Sequence, residues 1–303
     1  MRFLHTADWH LGRLFRATPL IDDQAWMLDR LLERSRDARL DAIVLAGDVY
    51  DRAVPPAEAV ALFSQTLERV VKDLKVPLVL ISGNHDSPER LAFAGGLLRD
   101  LGVHIVTQPG PGHEPLVLAD NHGPVHFHSV PYVDPPTVRQ YFNAADVHTH
   151  QAAMALCVSD IRGRLDPSAR HVLLAHAFVR GMRTSESERP LSVGGSGEVD
   201  ATTFDGFHYV ALGHLHAPQA VGAEHIRYCG SPLKYSFSEV DHAKQFVVVE
   251  MDAAGRCSIE STPVKPRRDL RVVRGRLTEI IAAAATDPAR EDYLKVVLED
   301  AGA

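Results

Sequence analysis

Five short apolar runs constrain this chain most, because each stops at a residue that suits neither a strand nor a core. "FLHTA", "DAIVLAG", "PLVLISG", "HVLLAHA" and "HYVALGH" read as strands with both faces buried. Longer amphipathic stretches lie between them. "DDQAWMLDRLLERSRDA" places Trp26, Leu28, Leu31 and Leu32 near one helical face. "PPAEAVALFSQTLERVVKDL" starts at Pro-Pro and carries Val60, Phe63, Leu67, Val70 and Val71. "SPERLAFAGGLLRDLG" starts at Ser-Pro and ends at Gly102. The alternation predicts an α/β fold with a largely parallel central sheet.

From about residue 205 the strand patterns come closer together. "QAVGA", "HIRYCGS", "QFVVVEM" and "CSIESTPV" predict antiparallel hairpins and a second sheet. Pro263 and Pro266 then bracket a change to basic composition. Lys265, Arg267, Arg268, Arg271, Arg274 and Arg276 stand against one acid, Asp269. A boundary is expected near residue 264, giving a main domain over 1–264. Residues 265–303 read as one strand, one helix ("LTEIIAAAA") and one strand ("YLKVVLE"), part of a larger module. Residues 179–200 form a long loop rich in Gly and Ser.

The net charge of -7 argues against a general electrostatic binder of nucleic acid, while a local basic face stays compatible with it. Cys157, Cys229 and Cys257 show no CxxC spacing, which predicts a reducing compartment without disulfides. No apolar run approaches the ~20 residues of a membrane span. The chain opens on a strand pattern with no visible signal peptide, so a cytoplasmic location is expected.

The chemistry lies at the strand ends. The first run ends in Asp8 and His10, and the second in Gly47-Asp48. The third ends in Gly83-Asn84-His85-Asp86. The fourth holds His176, and the fifth ends in Gly213, His214 and His216. In open α/β sheets, sites form outside the carboxyl ends of strands. Singly, each signal is weak in a chain with 17 His. His126-x-His128 and His148-x-His150 share the spacing of His214-x-His216, but lack its glycine and any carboxylates, and are read as structural or surface residues. Together, the five ends supply mixed O and N ligands without thiolate, which suit Mn²⁺, Fe²⁺ or Zn²⁺. Seven candidates exceed the needs of one ion and suffice for two if a carboxylate bridges. Two such ions support phosphoester hydrolysis. No GxxxxGK[ST] P-loop is present.

"DWH", "GD", "GNHD", an isolated His and "GHLH", in that order, resemble the calcineurin-like metallophosphoesterases. "LHTADWHLGR", "AGDVYDRAVPP", "GNHDSPERL", "SESER", "VGG", "YVALGHLHAPQ" and "IRYCGSPLKYSFSE" narrow the resemblance to the SbcD family of nuclease subunits. These are the bacterial branch of the double-strand-break repair nucleases. The resemblance runs almost continuously to about residue 262. It implies a two-sheet α/β metallophosphoesterase sandwich flanked by helices, followed by a partial α+β capping segment that stops before completion.

It also implies two divalent metal ions, Mn²⁺ foremost. One would be held by Asp8, His10, Asp48 and His216, the other by Asp48, Asn84, His176 and His214, with Asp48 bridging. His85 would face the scissile phosphate, and Asp86 would orient His85 by a hydrogen bond. Asp51 stands where archaeal and eukaryotic members carry a His. The implied activity is 3′–5′ exonuclease on double-stranded DNA ends and endonuclease on single strands and hairpins. Lys265, Arg267, Arg268 and Arg271 would contact DNA phosphates. The implied partners are an SbcC-type, SMC-like ATPase and a second copy of the chain. The dimer contact would use the second and third helical patterns, with Leu62, Leu91, Phe93 and Leu98. "GDVYDRA" is also similar to the Gly-Asp-x-x-Asp-Arg of protein phosphatases. A phosphatase or small-molecule phosphodiesterase is the alternative, and a non-catalytic scaffold the second.

Overall fold

The computed structural model describes residues 1–189 and 197–300. Residues 190–196 of the expected loop, with its "VGG", lie outside the described residues. Two six-stranded sheets make up the body. In the first, Val103–Val106, Leu78–Ile81, Ala42–Ala46 and Arg2–Thr6 run parallel. Gln245–Met251 and Cys257–Pro263 add two antiparallel strands beyond Arg2–Thr6. In the second, Gly123–Val130, Arg170–His176, Tyr209–Gly213 and Ala223–Tyr228 run parallel. Leu116–Asp120 and Gln219–Val221 close its edges antiparallel.

Strand alternation explains why the runs are apolar throughout. In Ala42–Ala46, Val44 and Ala46 enter the core between the sheets with Phe3, Val79, Phe127 and Val172. Ile43 and Leu45 face the other way, toward the core shared with Leu28, Leu31 and Phe63 of helices Ile21–Ala38 and Ala57–Arg69. Leu173 and Leu212 of the second sheet likewise share a core with Met154 and Val158 of helix His150–Arg162. Each buried large apolar side chain contributes about 1.5–3 kcal/mol. The chain therefore forms the two-sheet sandwich flanked by helices, with the strands' carboxyl ends gathered on one rim.

Several expectations are corrected. The second sheet does not begin near residue 205. It begins at Leu116, and Tyr209–Gly213 pairs parallel with Arg170–His176. The hairpin Gln245–Pro263 returns to the first sheet, setting Val247 opposite His5. Local spacing shows that a hairpin forms but not which strand it joins. The third helical pattern breaks into Pro88–Leu91 and Gly95–Arg99, because Ala94 turns left-handed (φ 58°) before two glycines, which are poor helix formers. Trp26 is 41% exposed, and Met27 takes the buried position instead.

Leu270–Gly275 and Tyr293–Leu298 form a separate parallel pair, joined through helix Leu277–Ala284. Arg268 grips buried Asp23 with Nε at 3.0 Å and Nη2 at 2.5 Å, and tethers this segment to helix Ile21–Ala38. Among the described residues, no helix is long and apolar enough to cross a membrane.

Candidate metal centre

Asp8, His10, Asp48, Asn84, His176, His214 and His216 meet on the rim where the sheets pack. Reaching it distorts the backbone. Asp8, His10, Asp48 and His214 all have positive φ, at 55°, 46°, 51° and 107°. Left-handed conformations cost non-glycine residues energy and concentrate at functional sites. Asp8 is held there by donating its N–H to Gly47 O, and His10 by donating to Asp48 O. Gly83 is required by close approach, since a Cβ there would lie 2.1 Å from Asp48 Oδ1. A Cβ on Gly213 would meet Ala46 O at 1.8 Å.

The donor atoms converge in two groups. Asp8, His10 and His216 form one, and Asp48, His176 and His214 the other. Asn84 Oδ1 joins the second, 3.0 Å from both His176 Nε2 and His214 Nδ1. Asp48 Oδ2 stands between the groups, 3.7 Å from His10 Nε2 and 3.6 Å from His176 Nε2. Asp48 Oδ1 faces away and accepts the His85 N–H at 2.9 Å.

The protonation pattern fits cations at these positions. His176 donates Nδ1–H to Ala46 O at 2.8 Å, and burial lowers its pKa, so the neutral ring turns the Nε2 lone pair toward the Asn84 carbonyl oxygen. Two acceptors 3.0 Å apart repel unless a cation lies beside them. His10 Nδ1 is buried without a hydrogen-bond partner among the described residues. Burial, then neighbouring imidazoles, holds His10 and His214 well below the usual histidine range. Burial and the Asp48 charge push Asp8 well above the carboxylate range. Divalent cations would relieve both directions at once, keeping carboxylates ionised and imidazoles neutral.

His85 sits beside this cluster, half-buried, its ring 4.6 Å from that of His10. Its Nδ1 donates to the Asp51 carbonyl at 2.8 Å, which leaves Nε2 available. His10, Asp51 and His85 also place ligand atoms within reach of one another. Asp86 does not orient His85, contrary to expectation. Its buried carboxylate accepts the N–H groups of Val49 (3.1 Å), Tyr50 (2.9 Å) and Gly83 (2.9 Å), tying together the two loops that carry Asp48 and Asn84. Burial, then Asp48, pushes its pKa up to about 7.

Of the four expected DNA-contacting residues, none lies in this cluster. Arg268 is committed to Asp23, and Arg271 pairs with Asp287 (2.7 Å) and Asp292 (2.6 Å), so neither offers a free guanidinium fork. Lys265 and Arg267 are exposed, with Arg267 3.9 Å from Asp22. His126 and His128 converge with His171 near the opposite end of strand Arg170–His176, where His128 Nε2 lies 3.1 Å from His171 Nδ1. His148 is exposed, and His150 meets the Tyr132 hydroxyl at 3.2 Å.

Sequence reasoning assigned no role to Arg13, Ser187, Glu188, Glu239 or Lys244, all of which border the centre. Arg13 pairs with Asp51 at 3.0 Å and bonds Ser187 O at 3.2 Å. The cluster "SESER" and the buried-aromatic context of "YSFSE" were the available signals.

Residues 1–218 match the family described as calcineurin-like phosphoesterase. The chain belongs to the calcineurin-like phosphoesterase family. It is 36% identical over 281 residues to the SbcD subunit of nuclease SbcCD from Staphylococcus epidermidis. That match covers 93% of this chain and 74% of the relative. The crystal structure of TT1561 of Thermus thermophilus aligns with 87% of this chain and 99% of its own, at 14% identity and a TM-score of 0.48. This phosphoesterase gathers its strand-end carboxylates, amide and imidazoles on a rim built by both sheets.

Proposed function

We propose that this phosphoesterase is the nuclease subunit of an SbcCD-type DNA repair complex, hydrolysing phosphodiesters with two divalent ions, foremost Mn²⁺. The observation that carries the two-ion reading is the position of Asp48 Oδ2 between the His10 and His176 nitrogens. One ion would be held by Asp8, His10, Asp48 and His216, and the other by Asp48, Asn84, His176 and His214. Bound there, the ions would polarise the phosphoryl oxygens and supply hydroxide at neutral pH. DNA as substrate, an SbcC-type ATPase as partner and work in repair are supported by the 36% identity to the staphylococcal protein. The finer activities follow the same relation: 3′–5′ exonuclease on duplex ends, and endonuclease on single strands and hairpins.

His85 acts on the substrate rather than on an ion. Its Nδ1–H is fixed by Asp51 O, so Nε2 is the nitrogen that can donate a proton to a phosphoryl or leaving 3′ oxygen. Arg13 and Asp51 border the same cleft. Residues 265–303 begin a DNA-capping domain, in which Lys265 and Arg267 are left to meet phosphates. Of the expected contact residues, Leu91 is buried and Leu62 and Leu98 pack against the core, leaving Phe93 (81%) exposed; with exposed Val60, Leu97 (74%) and Leu101 it supports a homodimer.

The deciding assay incubates the purified chain with Mn²⁺, Mg²⁺ or chelator. Substrates are end-labelled duplex, single-stranded and hairpin DNA, beside bis-p-nitrophenyl phosphate, cyclic nucleotides and a phosphoserine peptide. Mn²⁺-dependent DNA cleavage is expected. Turnover confined to the small esters or the phosphopeptide overturns the nuclease reading, and no turnover of any substrate supports a scaffold.

A further inference from the structure

His216 is restrained at every polar group except the one that faces the centre. Its backbone N–H donates to Glu188 Oε1 at 2.9 Å. Its carbonyl accepts from Lys244 Nζ at 2.8 Å. Its Nδ1 meets Ser187 Oγ at 2.6 Å and Glu239 Oε1 directly at 3.3 Å. Among the described residues, His10 Nδ1 has no hydrogen-bond partner at all, so the two histidines of this donor group are held very differently.

The direction of the bonds follows from a buried carboxylate. Glu239 is fully buried and close to Lys244, whose Nζ donates to Glu239 Oε2 at 2.6 Å. The same ammonium donates to Ser231 Oγ at 2.7 Å and to the His216 carbonyl, so its three protons are all used. Glu239 is therefore an ionised acceptor, and its Oε1 takes the Ser187 hydroxyl proton. Ser187 Oγ must then accept from His216 rather than donate to it. The proton sits on His216 Nδ1, and the lone pair sits on Nε2, facing His10 Nε2 across 3.0 Å.

We infer that Glu239, acting chiefly through the Ser187 hydroxyl and also by its direct 3.3 Å contact with Nδ1, and anchored by Lys244, is a positioning residue that commits His216 to bind its ion through Nε2. This is the histidine–carboxylate pairing common around metal centres, with a serine inserted between the partners. The inference rests on the two-ion reading. It goes beyond that reading in assigning a metal-directed role to Ser187 and, 52 residues further on, to Glu239 with its neighbour Lys244. The carboxylate removes the competing tautomer. Its influence reaches one of the two ions.

Ser187→Ala tests this without disturbing the Glu239–Lys244 pair, and Glu239→Gln tests the charge. Two readouts are needed besides activity. Imidazole ¹⁵N spectra of the metal-free chain report the His216 tautomer. Mn²⁺ titration by calorimetry and electron paramagnetic resonance reports each ion. The wild type is expected to show His216 protonated on Nδ1 and two bound Mn²⁺. In Ser187→Ala and Glu239→Gln, one Mn²⁺ is expected to weaken by about 10–100-fold while the other keeps its affinity. Ser187→Thr, which retains a hydroxyl, restores it. Wild-type tautomer and affinities in Ser187→Ala overturn the inference while leaving the two-ion reading standing. So does equal weakening of both ions, which marks a merely structural role. A wild type that binds fewer than two Mn²⁺ overturns the two-ion reading, and the positioning claim with it.

Discussion

His10 Nε2 and His216 Nε2 face each other across 3.0 Å, with both rings buried. Since Ser187 claims the Nδ1 proton of His216, that ring turns a lone pair toward His10. Two buried imidazole nitrogens placed this way would together hold one divalent cation.

Asp48 Oδ2 lies between the two donor groups, 3.7 Å from His10 Nε2 and 3.6 Å from His176 Nε2, whereas His10 lies on the first group's side. Asp48→Ala is therefore expected to lose occupancy at both positions and all hydrolysis, while His10→Ala mainly empties one. Metal content by mass spectrometry and anomalous scattering checks this. Two fully occupied ions in Asp48→Ala would remove the bridging role.

Under the proposed function, His85 has a different job from its neighbours in "GNHD". His85→Gln is expected to lower kcat by roughly 10²–10⁴, the usual worth of a positioned acid–base group, with both ions retained. Asn84→Ala should instead lose metal at one position. Near-normal turnover in His85→Gln, or loss of activity only through loss of metal, would contradict the assignment.

The apolar face around Phe93 and Leu97 is exposed in a single chain. The protein is expected to be dimeric at micromolar concentration, and Phe93→Asp to convert it to a monomer with its hydrolytic centre intact. Light scattering measures the mass. A monomeric wild type would show that this face serves something else.

Burial, then His171, holds His128 neutral down to about 3. An unfolded histidine takes up its proton near 6.5. Between these values the unfolded chain binds more protons, so the His128 contribution destabilises the fold as pH falls from 6.5 toward 3. His128→Gln removes that dependence. The stability of the variant relative to wild type is expected to improve as pH falls from 6 to 4, by on the order of 2 kcal/mol. Urea unfolding at several pH values measures it. Parallel curves for the two proteins would show that His128 protonates in the folded state.

What could be read from the sequence was what neighbouring residues impose on one another. Val44 and Leu45 had to lie on opposite faces of a doubly buried strand, and Gly83 marked a strand end where Asn84 and His85 leave the sheet. The seven ligand candidates were legible because each sits at the carboxyl end of a local apolar run. Backbone geometry decides that within a few residues.

The tertiary structure decided everything that depended on segments far apart in the chain. It sent the hairpin Gln245–Pro263 back beside Arg2–Thr6, because a strand's pattern shows which faces are buried but not its neighbour. It turned Asp86 from His85 to three backbone N–H groups, because those buried donors had no other partner nearby. It took Arg268 from the expected DNA surface to Asp23, 245 residues away, because a buried carboxylate requires a counter-charge. It also brought Ser187, Glu239 and Lys244 around His216, since desolvated charges are stable only where the fold supplies partners that no local pattern records.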